Sequence, residues 1–351
     1  MEDTMNTIKS SKRLKLNTPL IYGHTIIGAL FSIIEEKDLP WVYSNYAQIL
    51  YHEDWQMVIF EEQMIALEQC PFLSTENLYW SDDSSNNTSL IETIMYIIDN
   101  NHYVLLFLDR MLIMPNVHNE GFAHTTLISG YDLEKNIFYL SDNYDDGKFI
   151  TLEVDMKTVE KAFQSAWVSS VKNAKDDNEI AALSYLKSIV AVKYDCDLQS
   201  CFNKKNLIKQ IKSYLNSNGN MLFSQKNLKQ YGVSVYDLII DKMMNKSHIS
   251  LESKDFHLLY EHKYLMKTRI AFLIRNNIIS SNNNFIDISS SICEKVLLLR
   301  NLYIKSLMVE EELRKKLHIK ICEKVNAIKF EEKCFLEDLL NELQNMSETA
   351  K

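Results

Sequence analysis

Glycine and proline are scarce in this chain, with 7 Gly and 4 Pro among 351 residues. Few sharp turns are therefore expected, which favours helices. No apolar run is long enough to span a bilayer, and the nearest candidate, VLLFLDRMLIM, is interrupted by Asp109 and Arg110. The N-terminal segment has basic residues but lacks the apolar core of a secretory signal. We therefore expect a cytoplasmic protein with no membrane partner.

Several chemical signatures are also missing. The six cysteines form no CxxC pair and no Cys/His cluster with the spacing of zinc ligands. We expect reduced thiols that are mostly buried packing residues. No Gly-rich phosphate loop or nucleic-acid motif is present, and a net charge of -9 argues against a protein that grips phosphate backbones. The sequence therefore predicts no metal, no cofactor and no nucleic-acid partner.

The first 200 residues alternate between helix and strand patterns. The segment HTIIGALFSII is apolar all round, as a buried helix is. Ser89 and Glu92 form the pattern of a capping box before a second helix, and Asp155 is a candidate N-cap for a third. HYVLLFL, TTLISGYD, NIFYLSD, GKFITLEV and SIVAVKYD have the composition of strands. Residues 1–200 are thus predicted to form an α+β domain with a mainly antiparallel sheet.

The composition changes near residue 200. From there, apolar residues recur three and four apart over long spans, which predicts an all-helical domain over 201–345 and a frayed tail at 346–351. Inside one of these helices lies the charged group YEHK. Glu261 and Lys263 are two residues apart and cannot pair on one helix face. We expect them to bridge helices or domains.

The stretch FAHTTLISGYDLEKNIFYLSDN carries the candidate chemistry. It predicts two strands joined by a tight polar loop, with His124 at the start of the first and Asp142 at the end of the second. A histidine held by a carboxylate is half of a nucleophilic site. The structural alternative is a hydrogen-bonded histidine at the sheet rim and an aspartate that forms a turn. Their equivalent places on one hairpin favour the functional interpretation.

This hairpin also carries a family resemblance. The pattern H-x5-G-Y-D, followed by a strand ending in Asp142 and Asn143, resembles the His/Asp half of papain-like cysteine hydrolases of the bacteriocin-processing type. The chain is more closely similar to the butirosin biosynthesis protein H family. Further segments resemble that family: YVLLFLDRMLIMPN, GKFITLEVDMKTVEKAFQSA, YGVSVYDLIIDKM and DFHLLYEHKYLMKTRIAFL. The resemblance implies a papain-like fold and acyl-transfer or amide-forming activity in thiotemplated, nonribosomal biosynthesis of a secondary metabolite such as an antibiotic.

The chain departs from the family at the nucleophile. The family has a cysteine near the start of the first buried helix, where a helix N-terminus lowers the pKa of a thiol. This helix contains no cysteine, and matching helix to helix places the nucleophile position at Thr25, next to His24. His24 and Asp109 are candidate substrate-binding residues. For Asp109 the alternative is a cap at the strand end.

Three interpretations of the missing thiol stay open. Thr25 can be a nucleophile activated by His124. His124 can instead act as a general base without a covalent step, deprotonating an amine that attacks a bound thioester. Finally, the site can be inactive, with the fold binding a partner. The predicted function is acyl transfer from a carrier-protein thioester to a small amine. An inactive pseudoenzyme that binds a carrier protein or pathway partner, and a peptidase or amidase, are the alternatives.

Overall fold

The computed structural model describes residues 10–53, 55–80, 89–115, 123–145, 147–172, 174–198, 201–219, 228–244, 251–281 and 284–345. These residues group into two compact units. The first lies within Met1–Glu35 and Ala66–Leu198, and the second within Glu36–Ile65 and Gln199–Lys351. The tail predicted at 346–351 lies outside the described residues.

The strands in the described ranges are β1 (Ser11–Arg13), β2 (Ile49–His52), β3 (Met57–Phe60), β4 (Leu73–Tyr79), β5 (His102–Asp109), β6 (Ala123–Asp132), β7 (Ile137–Asp145), β8 (Lys148–Asp155), β9 (Ser188–Tyr194) and β10 (Leu228–Tyr231). The α-helices there are α1 (Thr25–Ile33), α2 (Leu39–Ser44), α3 (Ala66–Gln69), α4 (Leu90–Asp99), α5 (Arg110–Ile113), α6 (Met156–Lys172), α7 (Asp177–Ala182), α8 (Lys204–Leu215), α9 (Ser234–Met244), α10 (Ser253–Arg275), α11 (Phe285–Leu307) and α12 (Glu311–Asn345). Short 3-10 helices occupy Glu36–Asp38, Glu61–Ile65 and Leu183–Lys187.

The first unit is built on a seven-stranded antiparallel sheet. The strand order is β4-β9-β5-β6-β7-β8, and β1 pairs with the C-terminal end of β6. The hairpin β6–β7 lies inside this sheet, as the alternating pattern predicts. An α+β fold with an antiparallel sheet and a helical C-terminal region is therefore confirmed.

Helices α4 and α6 pack on one face of this sheet and form a core with its apolar side chains. Ser89 and Glu92 form the predicted capping box at the start of α4. Asp155 accepts a hydrogen bond from the Thr158 amide at 3.1 Å, as an N-cap of α6 does. These caps fix where the helices begin, and hence how they lie on the sheet.

Helix α1 lies close to β8 because Gly28 has no side chain. A Cβ at this position would lie 2.6 Å from a ring carbon of Phe149. Nearly every residue of α1 is buried, which confirms the buried helix predicted there. The close approach brings the first residue of α1, Thr25, to the strands of the candidate site.

Burial divides the cysteines evenly, and all six are free thiols. Cys70, Cys293 and Cys322 are buried, whereas Cys196, Cys201 and Cys334 are exposed. The expectation of mostly buried thiols therefore holds for only half of them.

The second unit combines helices with a small antiparallel sheet of order β10-β2-β3. Residues 36–65 belong to it because β2 pairs with β10 and because Asp255 of α10 accepts a hydrogen bond from the Val58 amide at 2.8 Å. This grouping differs from a single division at residue 200, since a segment from early in the chain joins the later helices.

A buried polar network lies among the helices of the second unit. Lys263 of α10 forms an ion pair with Glu332 of α12, and both side chains are almost fully buried. The Lys263 ammonium also lies 3.0 Å from the Tyr214 hydroxyl and 2.8 Å from His262 Nδ1. Tyr214 and Tyr236 donate to the other carboxylate oxygen of Glu332 at 3.0 and 2.7 Å. This confirms that Lys263 bridges helices, whereas Glu261 lies 3.4 Å from His257 Nε2 of its own helix α10.

Glu62 is a further buried carboxyl group of this unit. Burial raises the pKa of its carboxyl from 4.5 to about 7, and the nearby charge of Glu61 adds to the shift. Hydrogen bonding from Gln210, 2.5 Å away, and the positive charge of Arg269 oppose it. The folded state therefore binds a proton at Glu62 more tightly than the unfolded chain does.

We expect Glu62→Gln to remove a pH dependence of stability. Because the pKa is raised on folding, the wild type loses stability as pH rises from the unfolded pKa of 4.5 through the folded value of about 7. Glutamine stays neutral at every pH, so the variant does not lose stability through ionisation at this position. Its free energy of unfolding should exceed that of the wild type by about 3 kcal/mol above pH 7 and should be similar near pH 4.5. Urea denaturation at both pH values measures this, and the exposed Glu68→Gln is the control.

Candidate functional site

The strand pairing brings His124 and Asp142 to one face of the sheet. In the β6–β7 ladder, Leu127 is opposite Ser141 and Ile128 is opposite Leu140. Extending this register places Thr126 opposite Asp142. His124 lies two residues before Thr126 on β6, so its side chain points to the same face of the sheet as that of Asp142. The two residues are diagonal neighbours, and the histidine side chain is long enough to reach the carboxylate.

The two side chains are hydrogen-bonded. His124 Nδ1 lies 2.7 Å from Asp142 Oδ2. The carboxylate is buried, whereas 24% of the histidine side chain is exposed. An ionised carboxylate only accepts hydrogen bonds, so the neutral ring carries its proton on Nδ1 and its lone pair on Nε2. This is the orientation of a general base held by a carboxylate.

Thr25 completes the group from a third element. It is the first residue of α1, and its side chain is buried. Its hydroxyl donates to Asp142 Oδ1 at 2.5 Å, and the Asn143 amide donates to the same oxygen at 2.7 Å. The structure therefore joins Thr25, Asp142 and His124, with Asp142 in the middle.

This arrangement constrains the role of Thr25. A hydroxyl that is activated as a nucleophile donates its proton to the ring nitrogen of the base. Here the hydroxyl proton is directed at the carboxylate that holds the base. The α1 N-terminus, with its partial positive charge, also favours the negative charge of Asp142. The geometry makes Thr25 a support for the carboxylate.

The remaining two predicted residues occupy cap positions. His24 is the N-cap residue of α1, with extended backbone. Asp109 is the N-cap of α5, where its Oδ1 accepts from the Met111 amide at 3.0 Å and its Oδ2 accepts from the Ser165 hydroxyl at 2.6 Å. Both Asp109 oxygens thus bind protein groups, as the capping alternative requires.

Sequence reasoning missed the side chains that surround the pair. Arg110, which follows the end of β5, donates to the Asn143 carbonyl. Burial raises the pKa of the Tyr144 hydroxyl, and the negative charge of Asp142 raises it further, against the opposing charge of Arg110. Tyr144 is therefore a neutral hydroxyl beside the carboxylate. The Asp-Arg pair at the end of an apolar strand was the only sequence signal for this contact.

Among the described residues, no group of three or more His, Cys, Asp or Glu side chains is placed to hold a metal ion. In the same part of the chain, none of the helices combines the length and apolar character needed to cross a membrane. Comparison with protein-family models gives no match for this chain, and comparison with curated proteins gives none either.

Proposed function

We propose that this protein transfers an acyl group from a carrier-protein thioester to a small amine, with His124 as general base. The observation that carries the proposal is the 2.7 Å bond between His124 Nδ1 and the buried Asp142 carboxylate, which directs the Nε2 lone pair away from Asp142. The antiparallel sheet, with a buried helix whose N-terminal residue contacts this pair, supports a papain-like arrangement. Together with the motif resemblance, this arrangement supports the proposal that the protein belongs to the butirosin biosynthesis protein H-like group and acts in a secondary-metabolite pathway.

The proposed reaction needs no covalent bond to the protein. The amine nitrogen attacks the thioester carbonyl, and His124 Nε2 takes the proton that the nitrogen releases. As the carbon–sulfur bond breaks, the imidazolium returns this proton to the departing thiolate. Asp142 stabilises the imidazolium between the two transfers. Amide N–H groups in the first turn of α1 lack intrahelical acceptors and can stabilise the oxyanion.

Product formation tests the proposal directly. The purified protein is incubated with acyl-carrier thioesters, or with acyl thioesters of N-acetylcysteamine, and a panel of primary amines. Mass spectrometry then distinguishes an amide from a free acid. Enzyme-dependent amide supports acyl transfer, whereas free acid formed faster than the amide would instead identify a hydrolase of the peptidase or amidase type.

We expect Thr25→Val to slow amide formation by about tenfold without abolishing it, because the loss of one hydrogen bond to a buried carboxylate mispositions Asp142. Valine keeps the shape of threonine. Thr25→Ser, which keeps the hydroxyl, serves as the matched control and should stay near the wild-type rate. Intact-protein mass spectrometry during turnover should show no acylated protein. An acyl ester mapped to Thr25, with activity lost in Thr25→Val, would establish a covalent mechanism instead.

A second candidate function is binding without catalysis. It is favoured by the engagement of Thr25 with Asp142, since a threonine hydroxyl and a buried carboxylate that satisfy each other also form a structural link between α1 and β7. In that case the protein would bind the acylated carrier protein but form neither amide nor acid with any donor and amine. Calorimetric titration with the carrier protein, run beside the product assay, separates the two functions.

A further inference from the structure

We infer that the first unit contains a second small-molecule site, suited to a one-ring aromatic carboxylate. The site is a cavity of about 250 Å³. Its walls are formed by Trp80, Phe163, Gln164, Trp167, Val168 and Lys187. Four of them belong to α6, Trp80 directly follows β4, and Lys187 directly precedes β9. None of them belongs to the His124 group. The inference is thus independent of the proposed acyl transfer.

The main chain holds the walls of this cavity in place. Tyr79, the last residue of β4, pairs with Ser188, the first residue of β9. Just beyond this pair, the Trp80 amide donates to the Lys187 carbonyl at 2.9 Å. On the other wall, Phe163 of α6 is buried in the core between the helix and the sheet. The walls of the cavity are therefore fixed by the packing of α6 on the sheet.

Three of the six residues that line the cavity are aromatic, and they favour a flat apolar ligand. Trp80, Phe163 and Trp167 present ring surfaces, on which an aromatic ligand can stack or pack edge to face. Pockets that enclose drug-sized ligands begin at about 300 Å³, so this smaller cavity suits a single ring with a short substituent. Polycyclic ligands are too large for it.

The polar residues select the charge of the ligand. The Lys187 ammonium nitrogen lies 4.6 Å from the centroid of the Trp167 ring, which places a positive charge in the cavity wall. Gln164 also lines the cavity, and its side-chain amide can donate a further hydrogen bond. A carboxylate on the ring gains a charge-assisted hydrogen bond here, whereas an ammonium group is repelled. The structure therefore assigns the cavity to an aromatic acid over an aromatic amine.

Three ligands of one size test the charge preference. The full-length protein is titrated with benzoate, benzyl alcohol and benzylamine, followed by tryptophan fluorescence and by ligand-observed NMR. Trp80 and Trp167 line the cavity and report on it directly. We expect benzoate to bind with a Kd of about 1 mM, typical of such a small ligand, and benzylamine to bind at least about tenfold more weakly. No saturable benzoate binding below about 10 mM, or equal affinity for the amine, would overturn the inference.

Variants then locate the binding. Lys187→Met keeps an apolar chain of similar length, so it should weaken benzoate by about tenfold and change benzyl alcohol by less than about twofold. Lys193→Met, at an exposed lysine of the adjoining strand β9, is the matched control and should leave benzoate binding unchanged. Val168 is 46% exposed at the rim, so Val168→Trp should fold and should block all three ligands. Benzoate binding that survives both Lys187→Met and Val168→Trp would place the ligand elsewhere and refute the site.

Discussion

Replacement of His124 by glutamine is expected to lower the rate of amide formation by about 10²–10⁴-fold, which is the usual contribution of a general base. The glutamine amide can still donate to Asp142 Oδ2, where His124 Nδ1 now lies at 2.7 Å. The buried carboxylate therefore keeps a partner, while the group that we propose as the acceptor of the amine proton is lost. Steady-state rates at saturating thioester measure the change, and the binding of the carrier protein should stay close to that of wild type.

The matched control for this variant is His102→Gln. His102 is the first residue of β5, whereas His124 pairs with Leu108 near the opposite end of the same strand. The Nδ1 atom of His102 lies 2.8 Å from the Asn100 carbonyl oxygen in an exposed hydrogen bond. We expect the wild-type rate from this variant. A His124→Gln protein that keeps the wild-type rate while folded would exclude His124 as the base and favour the binding function.

The β6–β7 hairpin could be predicted from the sequence because the residues that determine it are close together in the chain. Alternating apolar residues on both sides of a short polar turn fix the strands, and a side-chain period of two then fixes which face His124 and Asp142 share. The capping box at Ser89 is equally local. For such features, neighbouring residues determine the structure.

Contacts between distant segments could not be derived in this way. The hydroxyl of Thr25 bonds to a carboxylate 117 positions away, and whether it faces Asp142 or His124 depends on how closely α1 packs on β8. Strands β2, β3 and β10 have only four residues each, too few for a clear period. Their pairing is what assigns residues 36–65 to the second unit.

Lys263→Met is expected to lower the free energy of unfolding of the second unit by about 3–5 kcal/mol. The reason is that Glu332, which is 1% exposed, keeps its negative charge in the interior and loses its ion-pair partner. The hydroxyls of Tyr214 and Tyr236 still donate to the carboxylate, so the loss is partial rather than complete. Urea denaturation followed by far-UV circular dichroism, which the helices of this unit dominate, measures the change.

We expect the destabilisation by Lys263→Met to come from the unpaired charge of Glu332 rather than from lost packing. Two further variants test this. Adding Glu332→Gln to Lys263→Met removes the uncompensated charge but keeps an oxygen that accepts from the tyrosines, so the double variant should recover much of the lost stability. Lys295→Met breaks the exposed Lys295–Glu331 pair of α11 and α12, whose atoms lie 2.5 Å apart, and should cost less than about 1 kcal/mol because solvent screens it. If Lys263→Met were no more destabilising than Lys295→Met, the buried pair would not hold α10 against α12.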